Sequence, residues 1–527
     1  MKTFFPAPTL YKPEKITGRD FLGQQSIIQY MADRCLPSFT NATKKARYYT
    51  FWAWAFKMLQ RYGDSLNEKE KWWYLLKLET ALIIINKHLR PDMVGMPGVT
   101  GIGYETDEIL AFEPDTHVTI YSEKIRATSY AAVQYAPSLG SLNIVKKFGT
   151  NQYAILKYGQ ELSEVFDNQV NLFSGYKILT SPKTKKIEWK YLLEMRQSFS
   201  LDIVPDNEKE TLTKIIEQKT RTITAEENKS ERVETTLLLL DLIKKERIRE
   251  TPELLIKLWN GYCPPEPLRE IADGWKVVEA RRYYQLSIEA ILSSFCQYLV
   301  SFSSHIGNFE EFSDDVIEKL KEFNHNKSAQ LPFRDVIRKN KLLGDFIDVV
   351  DSFCRNNFID EQVLTELIKK HSGSKVGFNY QLPHYGLILL LYLYNKFDYL
   401  KALKTEKAAY FWKIPANYRH SLGLTDKLIQ KWSKLPVSIG LNHIIHQLSL
   451  KLHLGVSQDK WLQTGNFTFR FVKAEPTGFQ YLATMTPNMT SNKILAYTQV
   501  LINLGFINDK GDYLTVTKAG DEFFKKY

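Results

Sequence analysis

Acid and lysine pairs at a spacing found in metal-dependent nucleases occur twice in the sequence. Glu188 and Lys190 are one such pair, with Asp167 upstream. Glu227 and Lys229 are the other. Nucleases gather carboxylates of this kind around a divalent cation, but such pairs also arise by chance in a chain rich in lysine and glutamate. A metal-dependent nuclease therefore stays an alternative function, and we assign no catalytic residue.

Three histidines lie within an arc of ~80° on a predicted helix near Gly455, so their imidazoles could converge on a metal. They are His443, His446 and His453. The seven residues between the last two spread the set over two turns, and no carboxylate or thiolate pattern accompanies it. We predict solvated or core histidines, and no metal or other cofactor.

Phosphate-loop and thiolate chemistry are not indicated either. The glycine-rich segment lacks the Lys and Ser or Thr of a phosphate-binding loop; its glycines are Gly95, Gly98, Gly101 and Gly103. The cysteines are too scattered for a zinc site or a disulfide framework, and we expect buried thiols. They are Cys35, Cys263, Cys296 and Cys354.

The composition is that of a folded protein with several domains. The chain has 527 residues, 44% of them hydrophobic, and a formal charge of +11 that favours polyanionic partners;. The N-terminus lacks the apolar run of a signal peptide. The longest apolar run, residues 385–394, is about half of the roughly 20 residues that cross a bilayer;. We expect a cytoplasmic protein that does not enter the membrane.

Helix-capping patterns recur along the chain, whereas strand patterns are few and short. Thr251 with Pro252 and Asp360 each open a predicted helix, and residues 266–306 form a long one with Gly274 as its weak point;. Short strands are predicted at 118–121, 467–472 and 513–516;. The expected fold is mainly α, a multi-domain helical protein with small β-wings of winged-helix type.

Four domains are expected from these patterns. Residues 1–170 form an N-terminal helical domain that closes with a faint winged-helix module, and 171–310 a charged arm with the long helix. Residues 311–400 form a helical domain, and 401–527 a helical segment with a C-terminal module. The highly charged stretch 206–250 is predicted to be a solvated helical pair or arm, with a linker role open;.

The C-terminal residues have the order of a helix, a hairpin and a second helix. Ile494, Tyr497, Leu501 and Leu504 share one helical face that Gly505 ends;. A strand at 506–507, a polar turn at 508–511 and a strand at 513–516 follow, and Thr517 opens the last helix;. This order resembles the second half of a winged helix-turn-helix domain. The resemblance implies a helix in the major groove and a wing on phosphates.

The candidate DNA-facing side of this module carries little positive charge. We expect its helix to expose Asn492, Lys493, Ala496, Gln499 and Asn503. The wing offers Lys510 between Asp509 and Asp512. Phosphate binding needs clustered cations, so protein contacts stay open as the use of this module.

A fainter copy of the same pattern occurs upstream. Tyr135, Leu139 and Leu142 repeat the spacing of Tyr497, Leu501 and Leu504. Likewise, Gly159, Glu161, Leu162 and Phe166 repeat that of Gly520, Glu522, Phe523 and Tyr527. Pro137 should bend the first helix or delay its start. The two segments are either related modules or alike by convergence. The upstream copy is the more basic, through Lys124, Arg126, Lys146 and Lys147.

Cations and aromatic residues alternate over residues 43–54, as on a nucleic-acid surface;. The aromatics surround the predicted helix, which favours core packing with Lys44, Lys45 and Arg47 exposed at its entry. Together with residues 22–23 and 36–37, this segment resembles uncharacterised bacterial proteins from phage-defence neighbourhoods. The resemblance implies a role in such a system.

The leading hypothesis is a non-enzymatic, DNA-associated winged-helix protein, one subunit of a bacterial DNA-processing or anti-phage assembly. The expected partners are DNA and other protein subunits. An alternative is a structural adaptor, kleisin-like, whose winged helices bind proteins. The candidate nucleic-acid-binding residues are Lys146, Lys147, Lys124, Arg126, Asn492, Lys493, Gln499 and Lys510.

Overall fold

The computed structural model is mainly helical with several small antiparallel sheets of two or three strands, as the sequence predicts. It describes residues 20–41, 44–62, 65–91, 105–120, 131–149, 152–218, 230–324, 331–373, 378–414, 421–465, 467–474 and 478–527. In the described part of the chain, no helix is both long and apolar enough to cross a membrane.

The elements follow one another along the chain, and neighbouring strands pair antiparallel as β1–β4, β2–β3, β5–β7–β6 and β8–β9. The helices are α1 Gln24–Cys35, α2 Arg47–Tyr62, α3 Glu68–Leu89, α4 Thr106–Leu110, α5 Ala131–Ser141, α6 Lys157–Val170, α7 Gly175–Thr180, α8 Trp189–Glu194, α9 Arg196–Phe199, α10 Asp206–Glu217, α11 Glu231–Lys245, α12 Thr251–Trp259, α13 Arg269–Val300, α14 Phe309–Leu320, α15 Arg334–Arg338, α16 Leu343–Asn356, α17 Glu361–Ser372, α18 Gln381–Asn395, α19 Phe397–Lys401, α20 Glu406–Lys413, α21 Leu422–Trp432, α22 Val437–His443, α23 Lys451–Thr464, α24 Lys493–Asn503 and α25 Lys518–Lys526. The strands are β1 His117–Thr119, β2 Val145–Gly149, β3 Gln152–Ile155, β4 Lys186–Glu188, β5 Ile306–Gly307, β6 Phe471–Ala474, β7 Gly478–Tyr481, β8 Ile507–Asn508 and β9 Thr515–Val516. A 3-10 turn spans Glu266–Leu268, and a π-helical stretch, Ile444–Leu450, joins α22 to α23.

The chain divides into two compact units, each built from two segments of the sequence. The first unit comprises residues 1–32 and 269–491, and the second comprises residues 33–268 and 492–527. The four domains expected from sequence have other boundaries than these two units and stay a prediction.

In the first unit, the long helix α13 is buried along almost its whole length. It runs through Gly274 without interruption. Helix α18 packs against it closely at Gly386, where a Cβ atom would lie 2.9 Å from the carbonyl oxygen of Ser287. The polar side chains of a helix that is buried on all sides must form hydrogen bonds with other protein groups, because water does not reach them. Gln285, for example, accepts hydrogen bonds from the amide and the hydroxyl of Thr490, at 3.1 and 2.7 Å.

The three histidines singled out from the sequence differ in burial and, among the described residues, form no group that could hold a metal. His453 is fully buried, and its Nε2 accepts a hydrogen bond from the Arg470 amide at 3.0 Å. Its Nδ1 must then carry the proton that is donated to the Phe21 carbonyl at 3.1 Å;. Half-buried His443 stacks on Trp432. The prediction of core histidines is thus confirmed for His453.

In the second unit, the aromatic helix α2 forms the centre of the core, as the sequence predicts. Tyr48, Tyr49, Phe51, Trp52 and Trp54 are all buried. The expectation that Arg47 is exposed at its entry is wrong. Arg47 is buried and donates hydrogen bonds to the carbonyls of Ser200 and Ile203 and to Glu208, at 2.9, 2.8 and 3.0 Å. A guanidinium has five N–H donors, which lets it enter a core where enough acceptors surround it.

Two further expectations about exposure need correction. Residues 206–250 do include a helical pair, α10 and α11, but α11 is not a solvated arm, because it is buried from Arg232 to Ile243. Of the four cysteines, Cys263 is exposed, whereas Cys35, Cys296 and Cys354 are buried. In both cases local composition does not reveal which elements cover a segment.

Candidate nucleic-acid interface

The C-terminal module, residues 493–526, has the predicted order of helix, hairpin and helix. Helix α24 ends at Gly505, whose φ of +78° lets the Phe506 amide turn back to the Leu501 carbonyl at 2.9 Å;. Strands β8 and β9 pair with Ile507 opposite Val516. The side chain of Thr517 then caps α25 by accepting from the Gly520 amide at 3.2 Å;.

A segment more than 230 residues upstream completes this module. The Leu514 amide donates to the Ile248 carbonyl at 2.7 Å, so residues 247–249 lie beside the hairpin as a third, strand-like edge. The Thr236 hydroxyl of α11 hydrogen-bonds the Tyr497 hydroxyl of α24 at 2.7 Å. In chain order, the elements brought together in this way are α11, the edge segment, α12, α24, the hairpin and α25. This contact is not predictable from the local pattern, because the high charge of residues 206–250 indicated a separate arm.

The N-terminal module, residues 131–170, has the same backbone geometry. Asn143 occupies the position of Gly505, with a φ of +56°, and the Ile144 amide returns to the Leu139 carbonyl at 2.9 Å. In the N-terminal module the Leu156 amide donates to the Ile144 carbonyl at 2.9 Å, and in the C-terminal one Thr517 donates to Phe506 at 3.0 Å. The predicted similarity therefore extends to individual hydrogen bonds. Pro137 lies inside α5, which continues past it to Ser141.

Paired glycines explain why these two modules share their sequence spacing. A Cβ atom on Gly159 would overlap the carbonyl oxygen of Ile144, and one on Gly520 would overlap that of Phe506. In both modules, therefore, the last helix contacts the turn after the first helix without an intervening side chain. Only glycine permits this approach.

The two modules also share one aromatic cluster. Tyr135 of α5 lies 5.2 Å from Tyr49 between ring centroids, and Tyr497 of α24 lies 4.7 Å from Phe39. Phe39 and Tyr49 are themselves 5.9 Å apart. The equivalent tyrosines of the two modules thus meet through α2 and the segment before it.

The modules differ at their hairpins. In the N-terminal module the β2–β3 pairing is irregular between Lys147 and Gly149, where Phe148 is an extra residue on β2;. Lys146, Lys147 and Phe148 are all exposed, Phe148 by 64%. The Lys146 ammonium lies 5.2 Å from the centre of the Phe148 ring. Among the described residues, no carboxylate pairs with either lysine.

Two candidate residues of the C-terminal module are not available to a ligand. Asn492 and Lys493 were expected to be exposed, but they are only 3% and 6% exposed. Asn492 caps α24 through the Ile494 amide at 2.9 Å, and Lys493 forms an ion pair with Asp33. Burial lowers the pKa of Lys493, and Asp33 partly offsets that effect. Ala496, expected on the same exposed face, is buried as well.

Gln499 and Asn503 lie on the remaining polar face of α24, which other residues of the second unit partly cover. Gln499 donates to the Thr251 hydroxyl at 3.3 Å, and Asn503 accepts from the Ala46 amide at 3.2 Å. Beside them opens a cleft of about 540 Å³. Its charged lining residues are Lys45, Arg90, Asp202, Asp509 and Lys510. Asp202 pairs with both Lys45 and Arg90, so this cleft is nearly balanced in charge.

Two more candidates, Lys124 and Arg126, lie outside the described residues, as does the pair Glu227 and Lys229. Exposed Lys510 donates its backbone amide to Asn508 at 3.3 Å. The carboxylate of Asp167 accepts from Trp54, Tyr176 and Arg61, and Glu188 pairs with Lys190. Within the described ranges, no three His, Cys, Asp or Glu residues are grouped closely enough to hold a metal.

No protein-family model matches the chain, and the comparisons with curated proteins and with solved structures found no match either.

Proposed function

We propose that this protein is a non-enzymatic, DNA-associated winged-helix protein that contacts duplex phosphates through the β2–β3 hairpin. The observation that carries the proposal is the exposed group Lys146, Lys147 and Phe148, whose cations have no carboxylate partner among the described residues. When lysines without partners bind phosphates, counterions are released from the DNA. This release is the main source of affinity for DNA. The exposed ring can add stacking or sugar contacts.

The duplication supports this use of the hairpin. A wing is the part of a winged-helix domain that commonly lies on the backbone next to the groove. The second wing, at Lys510, carries neighbouring acids Asp509 and Asp512, and the polar side of α24 is partly covered. We therefore assign the DNA contact to the N-terminal module. We further propose that the protein acts in a bacterial DNA-processing or anti-phage assembly, on the basis of the resemblance of residues 43–54.

The test is charge reversal at the hairpin. Lys146→Glu/Lys147→Glu should weaken binding to a generic DNA duplex and flatten the dependence of log K on log salt. Each lost phosphate contact lowers that slope by about 0.9, so a fall of up to about 2 is expected. Fluorescence anisotropy across a salt series measures both quantities.

A matched control is available in the same unit. Lys209→Glu/Lys214→Glu makes the same change in net charge at lysines of α10 that pair with Asp206 and Glu210. This control should leave the slope near that of the unmodified protein. An unchanged slope in the hairpin variant, or an equal change in both variants, would contradict the proposal.

A structural adaptor, kleisin-like, is the second candidate, and the packing of α24 favours it. In this helix the face expected to read DNA is committed to protein contacts: Lys493 with Asp33, and Asn503 with Ala46. A winged helix used in this way binds protein, not bases. A stable co-purifying partner, together with no retention on DNA at low salt, would support the adaptor over the DNA-associated protein.

A further inference from the structure

A second basic surface lies in the first unit, on residues that the sequence analysis did not single out. We call it the basic ridge; its exposed cations are Arg338, Lys339, Lys341, Lys427, Lys431 and Lys434. They come from two segments that are about 90 residues apart in sequence. Among the described residues, none of these six side chains has a carboxylate within ion-pair distance. This distinguishes them from lysines such as Lys369 and Lys401, which do have acidic partners.

Backbone hydrogen bonds hold the two segments of the ridge side by side. Leu342 and Pro436 face each other in an antiparallel bridge. The Val437 amide donates to the Lys341 carbonyl at 2.7 Å, and the Leu343 amide to the Leu435 carbonyl at 2.9 Å. Lys341 directly precedes the bridge residue Leu342, and Lys434 lies two residues before Pro436, so both lysines flank the same bridge.

The turn before the bridge is fixed as well. Asn340 has a φ of +44°, and the Lys341 amide returns to the Val336 carbonyl at 3.1 Å, which ends α15 and redirects the chain;. The Asn340 side chain accepts a hydrogen bond from the Ser438 hydroxyl at 3.0 Å. A non-glycine residue in the left-handed region is unusual and persists where its surroundings over-determine it. Here those surroundings orient the basic ridge.

Helix α21 extends the ridge with a second row of charge. Lys427 and Lys431 are four residues apart and so share one face of the helix, and Lys434 follows just beyond its end;. Asp345 is the acid nearest to the bridge by sequence, and its carboxylate caps the Leu342 amide at 3.1 Å. Buried Asp426 pairs with Lys401. Asp335 of α15 is a further exposed acid in these segments, so the six exposed cations of the ridge stand against two exposed acids, Asp335 and Asp345.

We propose that the basic ridge binds the phosphate backbone of a nucleic acid. Its cations are spread over two segments, as suits a row of phosphates rather than one small anion. Among the described residues of these segments, three large apolar side chains are about half exposed, namely Leu342, Leu424 and Ile439. That is far less than the apolar face with which a helix enters a lipid surface. The backbone of the bridge is already paired, so it offers no edge to a peptide strand.

The inference does not depend on the N-terminal module, because ridge and hairpin belong to different units. It adds a contact that depends on salt but not on base sequence, since phosphate contacts position a protein without reading bases. DNA and RNA share this chemistry. Separate titrations with a DNA duplex and an RNA duplex show which of the two the ridge prefers.

The experiment uses the full-length protein with Lys339→Gln/Lys341→Gln/Lys434→Gln. These side chains make no hydrogen bonds to other described residues, so cooperative urea unfolding should be unchanged. The slope of log K against log salt for the DNA or the RNA duplex should fall by about 0.9 for each lost contact, up to about 3. An independent variant, Arg338→Gln/Lys431→Gln, should lower the slope by up to about 2.

The matched control is Lys319→Gln/Lys369→Gln/Lys370→Gln, three exposed lysines of the same unit, two of them with acidic partners. Its slope should not change. The proposal is overturned if both ridge variants keep the original slope, or if the control falls as far as the triple variant. It is also overturned if the ridge variants lose binding to phosphatidylserine vesicles or polyglutamate while they retain both duplexes. If the hairpin variant keeps the original slope while the slopes of the ridge variants fall, the proposed function is wrong and the inference about the basic ridge is supported.

Discussion

At the scale of single residues, several polar side chains in this protein are structural although their types suggest function. Arg47 and Glu208 form an ion pair with side chains only 1% and 0% exposed. Burial raises the pKa of Glu208, and the Arg47 guanidinium counteracts part of that rise. Lys493 is likewise buried, and it forms an ion pair with Asp33. Residue type alone therefore overstates the number of groups available to a ligand.

His453 should make the first unit sensitive to acid. Burial lowers its pKa from 6.5 to about 4, because the protonated ring would lose solvation, and the positive charges of Arg470 and Lys460 lower the pKa further. A histidine with a depressed pKa contributes stability that is complete above its unfolded pKa and is lost as pH falls towards the folded one. The free energy of unfolding should fall by roughly 3 kcal/mol for this group between pH 6.5 and 4.

Urea denaturation at a series of pH values tests this with His453→Gln. The variant should lose the part of the pH dependence that is due to His453. The part due to His384 should remain, because burial also lowers the pKa of His384 to about 4. The control is His443→Gln at a half-buried position. An equal pH dependence in His453→Gln and the unmodified protein would refute the assignment.

At the scale of elements, the turn between the first helix and the hairpin defines both modules. Asn143 and Gly505 have positive φ, and equivalent hydrogen bonds follow each of them. The last helix of each module then crosses this turn at a glycine. The two modules are therefore alike in the spacing of these few residues, whereas their surface side chains differ.

Gly159→Ala and Gly520→Ala should each destabilise the second unit, because the added methyl group overlaps a carbonyl oxygen of the turn. Overpacking of this kind costs about 1–3 kcal/mol. Chemical denaturation measures the change. Gly455→Ala is the control: this helical glycine has open space around its Cβ position, so alanine should stabilise by about 0.5–1 kcal/mol. Tolerance of alanine at both module positions would argue against the shared geometry.

At the scale of the whole molecule, the net charge of +11 is not spread evenly. Several exposed lysines pair with acids one helical turn away, such as Lys214 with Glu210 and Lys369 with Glu366. The hairpin and the basic ridge are places where lysines remain without such partners among the described residues. Unpaired cations, more than the total charge, determine where a polyanion binds.

A variant that combines Lys146→Glu/Lys147→Glu with the triple ridge substitution tests whether both surfaces act on one duplex. Since phosphate contacts at separate sites contribute independently, the reductions in salt slope should add, to as much as about 5. The same anisotropy titration measures it. If the combined variant binds the duplex as tightly as the weaker-binding of the two separate variants, the two surfaces do not bind the same duplex.

The sequence by itself determined the helical class, several helix ends and the shared spacing of the two modules. Those features depend on neighbours in the chain: Asp360 caps α17 through the Val363 amide, and Gly505 permits a left-handed turn wherever the helix lies. The aromatic helix α2 was likewise predicted to be core, because its apolar residues leave no polar face.

Only the tertiary structure decided which polar faces stay in water and which distant segments meet. The periodicity of apolar residues marks the apolar face of a helix. It does not show that Lys493 and Arg47 are buried, because each pairs with a residue more than 100 positions away, Lys493 with Asp33 and Arg47 with Glu208. The pairing of Ile248 with Leu514, and of Leu342 with Pro436, also joins remote parts of the chain. Long-range backbone pairing leaves no local pattern in the sequence. The edge of the C-terminal module and the basic ridge therefore appear only in the folded chain.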